Sequence, residues 1–431
     1  MKKITFGYSD SRSGLLFFLS WFAYFSTYIC RLNFSAVMPQ LLGDGGFSQS
    51  QVAAVSSVFF ICYGAGQLFS GGLGDKLSPR KMIFWGVFIS AVSNILIYLF
   101  YESYAALIIL WAINGAVQSM VWSPILRIAG EYFSEKEKVK FGVDISTTVP
   151  LGTLASYGVS LVTLVVAPWR YVFLSCGVIV LAASLVWLFG TKNLIKPQKP
   201  VKNIADNNSA TQAMPVKQLI KVLLSSGVIL LLVSIAIQGT LKDSVTQWIP
   251  TFLESRYDTG TSVSLALTML LPIINVTGAY FAKSLNKRLK NEMTTSVVFF
   301  GIAAALLAAL LISDGKNMIL SLLLMAGVTN CMFAINVLLI TLVPLRFSSM
   351  GRTSTVGGFL NAMAYIGCGV LNMGAGALLE KSGSSWVSLF VLWLSLAAGA
   401  SVITLICCVP WKKFLKSNEK SVYNGDKSNA K

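Results

Sequence analysis

The feature that most constrains this chain is a series of long apolar runs, each able to cross a lipid bilayer as a helix. An α-helix rises 1.5 Å per residue, so about 20 apolar residues span the hydrocarbon core. The sequence contains twelve such runs, at 16–41, 51–73, 82–101, 104–128, 141–166, 169–189, 227–253, 261–284, 293–312, 317–342, 354–379 and 386–409. We therefore predict an all-α membrane protein with twelve transmembrane helices.

Composition agrees with a membrane location and excludes several functions. Of the 431 residues 55% are hydrophobic and 12% are charged, whereas a soluble domain carries about 25% charged residues. The seven cysteines lie within apolar runs without a CxxC pair, and the chain has no histidine. We expect no metal site, no cofactor and no Ser-His or Cys-His catalysis, and therefore no enzyme.

The net charge of +17 is distributed in a way that predicts topology rather than nucleic-acid binding. If both termini are cytoplasmic, 28 of the 34 Lys and Arg residues lie in the inner segments. Such an excess marks the cytoplasmic side of a membrane protein. We expect a multi-pass protein of the cell membrane with both termini in the cytoplasm, in contact with lipid and monomeric.

The polar segments divide the chain into four parts. The sequence predicts a six-helix bundle at 1–190, a cytoplasmic linker at 191–221 with a short surface helix near 216–222, a second six-helix bundle at 222–411, and a polar, disordered cytoplasmic tail at 412–431. Lys, Asn, Pro and Ser are frequent in the linker, as in solvated connections.

The two bundles share a repeat. Arg31 stands eight residues before Pro39, and Lys242 stands eight residues before Pro250, at an offset of 211. The same offset relates the basic loop at 71–81 to 282–292. We interpret this as duplicated, pseudo-symmetric halves related by an axis along the membrane normal.

Arg31 and Lys242 lie deep within their apolar runs. A central Arg costs about 2.5–3.5 kcal/mol on insertion scales, so it should face the bundle interior or a water-filled cavity. Two cations that converge near the midplane would make an anion site, and Arg offers a planar fork for phosphate or carboxylate. Asp243 could be a counter-charge to either cation, or could bind a proton or cation for coupling.

Polar and aromatic side chains near these cations complete the predicted site. Each is at helical spacing from another candidate, and each could instead be a packing contact between helices. The candidates for substrate binding are Tyr28, Tyr63, Gln67, Gln247, Asn361 and Tyr365. In the loop after the second run, Asp75 and Arg80 are predicted to form a conformational latch.

The loop sequence Asp75-Lys-Leu-Ser-Pro-Arg80 resembles the signature that follows the second helix in the major facilitator superfamily. Its form, together with Tyr28-Ile-Cys-Arg31, Gln118-Ser-Met-Val-Trp122 and Trp248-Ile-Pro250, is similar to the organophosphate:phosphate antiporter family. The resemblance implies that Arg31 and Lys242 hold phosphate near Tyr28. It also implies exchange of a phosphorylated metabolite for inorganic phosphate by rocking of the two halves.

The site differs from the glycerol phosphate and hexose phosphate members of that family. Gln67 stands where they have Lys, Val149 stands where the glycerol phosphate carrier has His, and Asp243 adds a negative charge. Two alternatives therefore stay open beside exchange. One is proton- or cation-coupled symport of an organic acid such as a sugar acid, and the other is a membrane sensor that resembles a transporter.

Overall fold

The computed structural model describes residues 7–195, 214–313, 315–347, 350, 352–383 and 385–428. The side chains at 71–76, 135–136, 138–139, 143, 353–354 and 418–428 lie outside this description. The described residues form helices and connecting turns, without a β-strand. Within the part of the chain that the structure describes, twelve helices are long and apolar enough to cross a membrane, which confirms the predicted all-α fold.

Residues 7–195 contain seven helices, because one predicted span is divided in two. They are α1 (Ser11–Leu42), α2 (Gln49–Lys76), α3 (Pro79–Leu99), α4 (Tyr104–Tyr132), α5 (Glu135–Ile145), α6 (Thr148–Val166) and α7 (Tyr171–Gly190).

The second half begins with the predicted short helix after the linker and then contains six spans. The helices are α8 (Val216–Ser225), α9 (Val228–Tyr257), α10 (Thr261–Thr268), α11 (Leu270–Leu289), α12 (Glu292–Ile312), α13 (Met318–Asn336), α14 (Val343–Leu345), α15 (Thr353–Lys381) and α16 (Trp386–Ser428). A π-helical segment, Val337–Leu342, joins α13 to α14.

Prolines interrupt helices that we predicted to be continuous. The predicted span 141–166 is wrong, because a break after Ile145 separates α5 from α6. Pro150 has no N–H to donate to the carbonyl four residues earlier, and Val149 N instead contacts Ser146 O at 3.4 Å. Pro272 likewise leaves the carbonyl of Thr268 without its helical donor, at the point where α10 ends.

The prediction of a disordered tail from residue 412 is also wrong over the described residues. Helix α16 continues through this region to Ser428. Two aromatic residues at its start provide the reason, because Trp411 is buried and Phe414 stacks on Phe347 with 5.1 Å between ring centroids. The frequent Lys and Asn residues in 412–431 indicated a polar tail and gave no sign of these aromatic contacts.

The segment before α1 is held against α5. Ser9 N donates to Glu137 Oε1 at 2.9 Å, and hydrogen bonds from Ser9 and Ser134 lower the pKa of Glu137 to about 2. Tyr8 donates to Asp144 Oδ2 at 3.2 Å. Burial, followed by the charge of Asp144, raises the pKa of Tyr8 well above its usual value.

The chain forms two compact units. The first unit comprises Met1–Ile204, Thr246–Ile273 and Gly369–Trp386, and the second comprises Ala205–Val245, Ile274–Cys368 and Val387–Lys431. In the first unit, α1 packs on α6 and α7, while α4 packs on α2 and α3. Parts of α9 and α15 thus belong to the same unit as the first six spans.

Candidate functional site

Helix α1, which belongs to the first unit, has a kink at Cys30. Cys30 has non-helical backbone angles (φ −91°, ψ 17°). Its carbonyl oxygen accepts hydrogen bonds from Asn114 Nδ2 at 2.8 Å and from Gln118 Nε2 at 3.3 Å. The carbonyl of Ile29 accepts one from Ser156 Oγ at 3.0 Å. The kink therefore exposes two carbonyls of α1 to side chains of α4 and α6.

Arg31 directly follows this kink and is buried, with 6% of its surface exposed. Its Nε donates to Gln118 Oε1 at 3.0 Å. The Nε2 of Gln118 also lies 3.0 Å from Ser90 Oγ and 3.1 Å from Asn114 Oδ1, so its two hydrogens are shared among these atoms and the Cys30 carbonyl. Because both ends of Gln118 are engaged, its oxygen is fixed toward the guanidinium, and the direction of Arg31 is fixed with it.

Aromatic rings surround the same guanidinium. Its central carbon lies 4.7 Å from the ring centroid of Tyr28, 4.5 Å from that of Tyr63 and 5.5 Å from that of Phe59. These distances are within the range of cation–π attraction. Gln67 Nε2 donates to Tyr63 Oη at 3.1 Å. Four of the predicted site residues, Tyr28, Arg31, Tyr63 and Gln67, are thus brought together.

Lys242 belongs to the second unit, on α9. Its Nζ lies 3.4 Å from Asp243 Oδ2, and 5.5 and 5.7 Å from the ring centroids of Tyr365 and Phe333. The side chains of Lys242 and Asp243 are 12% and 25% exposed. Asn361 lies one helical turn before Tyr365 on α15. The second unit therefore groups a partly accessible ion pair with a tyrosine, and the convergence of Lys242 with Arg31 stays a prediction.

Gln247 lies in a different polar cluster of the first unit, which we call the serine–amide cluster: Ser35, Ser56, Gln247 and Asn372. Ser56 Oγ donates to Gln247 Oε1, and Ser35 Oγ donates to the backbone oxygen of Gln247 at 3.0 Å. Asn372 Nδ2 donates to Ser56 Oγ at 3.3 Å. Trp248 Nε1 donates to Asn372 Oδ1 at 3.0 Å. Ser35 is one turn from Arg31, so this cluster lies about 6 Å farther along α1.

Of the two residues predicted to form the latch, the structure describes the side chain of Arg80 only. The side chain of Asp75 lies outside the described residues. Arg80 donates from Nε to Thr191 Oγ1 at 3.2 Å and from a terminal nitrogen to the carbonyl of Leu188. Trp187 Nε1 donates to the carbonyl of Arg80 at 2.9 Å. Arg80 therefore joins the start of α3 to the end of α7.

Sequence reasoning missed the residues that orient Arg31. Gln118, Asn114 and Ser90 are all buried in apolar spans. The available signal was their polarity at such depth, together with the four-residue spacing that places Asn114 and Gln118 on one face of α4. The pattern does not reveal that this face meets the kink of α1.

Comparison with known proteins defines the class. A model described as Major Facilitator Superfamily matches residues 16–370. The crystal structure of a variant of the nucleoside transporter NupG has a TM-score of 0.71 and 17% identity, over 91% of this chain and 98% of that one. The chain therefore has the fold of a multi-pass membrane transporter. The chain belongs to the Major Facilitator Superfamily.

The curated relatives are similar over part of their length. The "Probable hexose phosphate transport protein" of Chlamydia muridarum is 27% identical over 40% of this chain and 37% of its own. The "Glycerol-3-phosphate transporter" of Bacillus subtilis (strain 168) is 30% identical over 38% and 37%. The "Membrane sensor protein UhpC" of Escherichia coli (strain K12) is 28% identical over 27% of each. These matches span well under half of each relative, and confirm the resemblance to the organophosphate:phosphate antiporter family.

Proposed function

We propose that this protein is a secondary transporter of a small organic anion, and that the anion is a phosphorylated metabolite exchanged for inorganic phosphate. The observation that carries the proposal is the buried guanidinium of Arg31, which donates from Nε to Gln118 and lies within 5 Å of the ring centroids of Tyr28 and Tyr63. A charge at this depth is costly, and intramembrane charges are therefore found mainly where a function requires them. A guanidinium fork of fixed direction suits the oxygens of a phosphoryl group.

The second cation completes the proposed site. Under this proposal Lys242 binds the phosphoryl group or a neighbouring oxygen, with Tyr365 and Asn361 as polar partners on α15. Asp243 then acts as a counter-charge, which holds the Lys242 ammonium at 3.4 Å until the anion displaces it. Support comes from the equal spacing of Arg31 and Lys242 to a following proline in the two halves. The relatives whose names include hexose phosphate and glycerol-3-phosphate add to it.

The proposed cycle is alternating access in the cell membrane, with both termini cytoplasmic and the protein acting as a monomer. The serine–amide cluster supports this cycle, because its hydrogen bonds join α9 and α15 of the second half to α1 and α2 within one compact unit. These bonds would close one side of the site and break when that side opens. Arg80, with Asp75, would brace the cytoplasmic helix ends during the motion.

A second candidate is coupled symport of an organic acid. The observation that favours it is the partly exposed carboxylate of Asp243 beside Lys242. A carboxylate that exchanges its partner between an ammonium and a proton can couple the two. A carboxylate substrate also needs less positive charge than a phosphate dianion. The name of the UhpC relative further keeps a sensor role as an alternative.

Counterflow in proteoliposomes tests these candidates. Vesicles loaded with inorganic phosphate should accumulate external labelled phosphate, and sugar phosphates or glycerol phosphate should compete with it. Uptake of a sugar acid driven by a proton gradient, without phosphate exchange, would replace exchange by symport. Binding of an organophosphate with no flux at all would favour the sensor.

Arg31→Ala should abolish phosphate exchange, and Arg31→Lys should impair it because the planar fork is lost. The matched control is Arg127→Gln, which removes a cation that pairs with Glu131 at 2.6 Å in the same unit. Gel filtration and counterflow of each variant provide the measurement. Normal exchange by Arg31→Ala would refute the anion site.

A further inference from the structure

The second unit contains a groove that the proposed transport site does not use. It encloses about 480 Å³ between α11, α12 and α13. Its walls are mainly apolar, with Phe281 and Leu285 from α11 and Phe299, Ile302 and Leu306 from α12. Arg288 also lines it. A groove of this kind combines a long apolar slot with a single cation.

The groove is open along one side. Phe299 and Cys331 form a buried floor, with 6% and 5% of their surfaces exposed. Phe281 and Ile302 form an exposed rim, at 58% and 43%. In a chain with twelve membrane-spanning helices, exposed apolar rims at this depth face hydrocarbon. An acyl chain can therefore enter from the side.

The cation stands at the basic end of the groove. Arg288 and Lys287 lie in the last turn of α11, on the side that the distribution of Lys and Arg assigns to the cytoplasm. Within the described residues, the ion pairs do not include one between Arg288 and a carboxylate. Its guanidinium is exposed at the helix end, so an anionic group of the membrane surface can reach it.

The apolar lining of the groove lies at the depth of lipid acyl chains. From the first residue of α12, Phe299 is seven residues along and Leu306 is fourteen, or about 10 and 21 Å. Half of the hydrocarbon core is about 15 Å thick. The apolar lining on α12 thus begins about 10 Å from the basic end and continues to about 21 Å, past the middle of the hydrocarbon core, so an acyl chain whose phosphate lies at Arg288 can reach it.

We propose that this groove binds one acyl chain of an anionic phospholipid, whose phosphate pairs with Arg288. The site goes beyond the transport function and is separate from Arg31 and Lys242. The headgroup provides the charge, and the guanidinium fork suits its phosphate oxygens. The chain fills the apolar slot between α11 and α12. A zwitterionic lipid with the same chains gains less from Arg288, because its net charge is zero.

Native mass spectrometry of the purified full chain tests the charge. The probes are phosphatidylglycerol and phosphatidylcholine with identical acyl chains. Arg288→Gln should weaken phosphatidylglycerol binding about fivefold and phosphatidylcholine binding by a smaller factor. The matched control is Lys412→Gln, which removes an exposed cation of α16 on the same predicted side. Equal loss in both variants, or no loss in Arg288→Gln, would overturn the proposal.

A second experiment tests the location of the acyl chain. Phosphatidylglycerol with a diazirine in its chain should crosslink to peptides that contain 281–288 and 299–306. Ile302→Trp, which fills the groove without a change of charge, should reduce this labelling. Gel filtration shows whether each variant stays folded and monodisperse. Uniform labelling of all exposed helices, or labelling unchanged by Ile302→Trp, would contradict a defined site.

Discussion

At the scale of single residues, the direction of Arg31 depends on side chains from a different helix. The sequence predicted the part of the site that follows from helical spacing, since Tyr28 precedes Arg31 by three residues and Tyr63 precedes Gln67 by four. Gln118 could not be assigned in this way. Its oxygen reaches Arg31 because α4 packs where α1 is kinked, and a kink of this kind has no signature in the sequence.

Gln118→Glu tests the role of this amide at nearly constant shape. The new carboxylate would form a charge-assisted pair with Arg31 and compete with the transported anion. We expect KM for phosphate exchange to rise about tenfold or more, since hydrogen bonds to charged groups are worth about 1.5–3 kcal/mol. Counterflow kinetics provide the measurement. Gln218→Glu, at an exposed position of α8, should leave KM unchanged, and equal kinetics in both variants would contradict the assigned role.

Asp243→Asn distinguishes a counter-charge from a coupling site. If Asp243 only neutralises Lys242, removal of its charge should lower KM several-fold, because a carboxylate 3.4 Å from the Lys242 ammonium no longer competes with the anion. The dependence of transport on pH should then stay the same. The measurement is KM and rate from acidic to neutral pH, with Asp144→Asn, a partner of Lys140, as the control. Loss of pH dependence in Asp243→Asn alone would favour symport.

At the scale of helices, the sequence predicted the number of spans correctly but not their interruptions. Pro150 and Pro272 were visible, yet the apolar periodicity around them was taken as continuous. Proline lacks an N–H, so one backbone carbonyl loses its helical donor. Whether the helix continues depends on whether a neighbouring side chain satisfies that carbonyl, which is a property of the tertiary structure. The tail shows the converse, because Trp411 and Phe414 extend α16 through contacts with Phe347 that lies far away in the sequence.

The contact between α1 and α6 provides a test at this scale. A Cβ at Gly152 would lie 2.7 Å from Tyr28 Cβ, so the two helices approach closely only because residue 152 is glycine. Gly152→Ala should therefore lower the free energy of unfolding by about 1–3 kcal/mol, because the added methyl group overpacks the contact. It should also raise KM for phosphate exchange by displacing Tyr28 from Arg31.

Gly158→Ala is the matched control for this change. It lies on the same helix, and nothing stands within 4 Å of its added Cβ. Thermal unfolding in detergent and counterflow kinetics should show little change for Gly158→Ala. Equal stability and KM in the two variants would mean that the α1–α6 contact does not position the site.

At the scale of the whole molecule, the compact units differ from the halves of the sequence repeat. Residues Thr246–Ile273 and Gly369–Trp386 belong to the second half of the sequence but to the first compact unit. The repeat at an offset of 211 predicted two similar halves, and it contains no information about which ends are in contact in a given conformation. Which helix ends are in contact depends on differences of a few hydrogen bonds between helices, and no local sequence pattern encodes these bonds.

Ser56→Ala tests whether the serine–amide cluster holds one side closed. The change removes the bonds of Ser56 with Gln247 and Asn372, each worth about 0.5–1.5 kcal/mol. The open state should gain about tenfold in population. In a cysteine-free background, Thr251→Cys, one turn after Gln247, should then react faster with a membrane-impermeant maleimide. Ser20→Ala, which removes a bond within α1, should not alter the rate, and a rate unchanged by Ser56→Ala would exclude this role.

The serine–amide cluster is made of hydroxyl and amide groups, and none of Ser35, Ser56, Gln247 and Asn372 carries a charge. Dissolved salt screens ionised groups over a Debye length of about 8 Å at physiological ionic strength. Neutral hydrogen bonds in a buried cluster are little affected. The balance between open and closed forms should therefore be nearly independent of ionic strength, whereas the long-range attraction of an anion in solution toward the positively charged protein should weaken as salt is added. If the protein transports an anion by alternating access, as proposed, saltier surroundings should slow capture of the anion and leave the conformational balance unchanged.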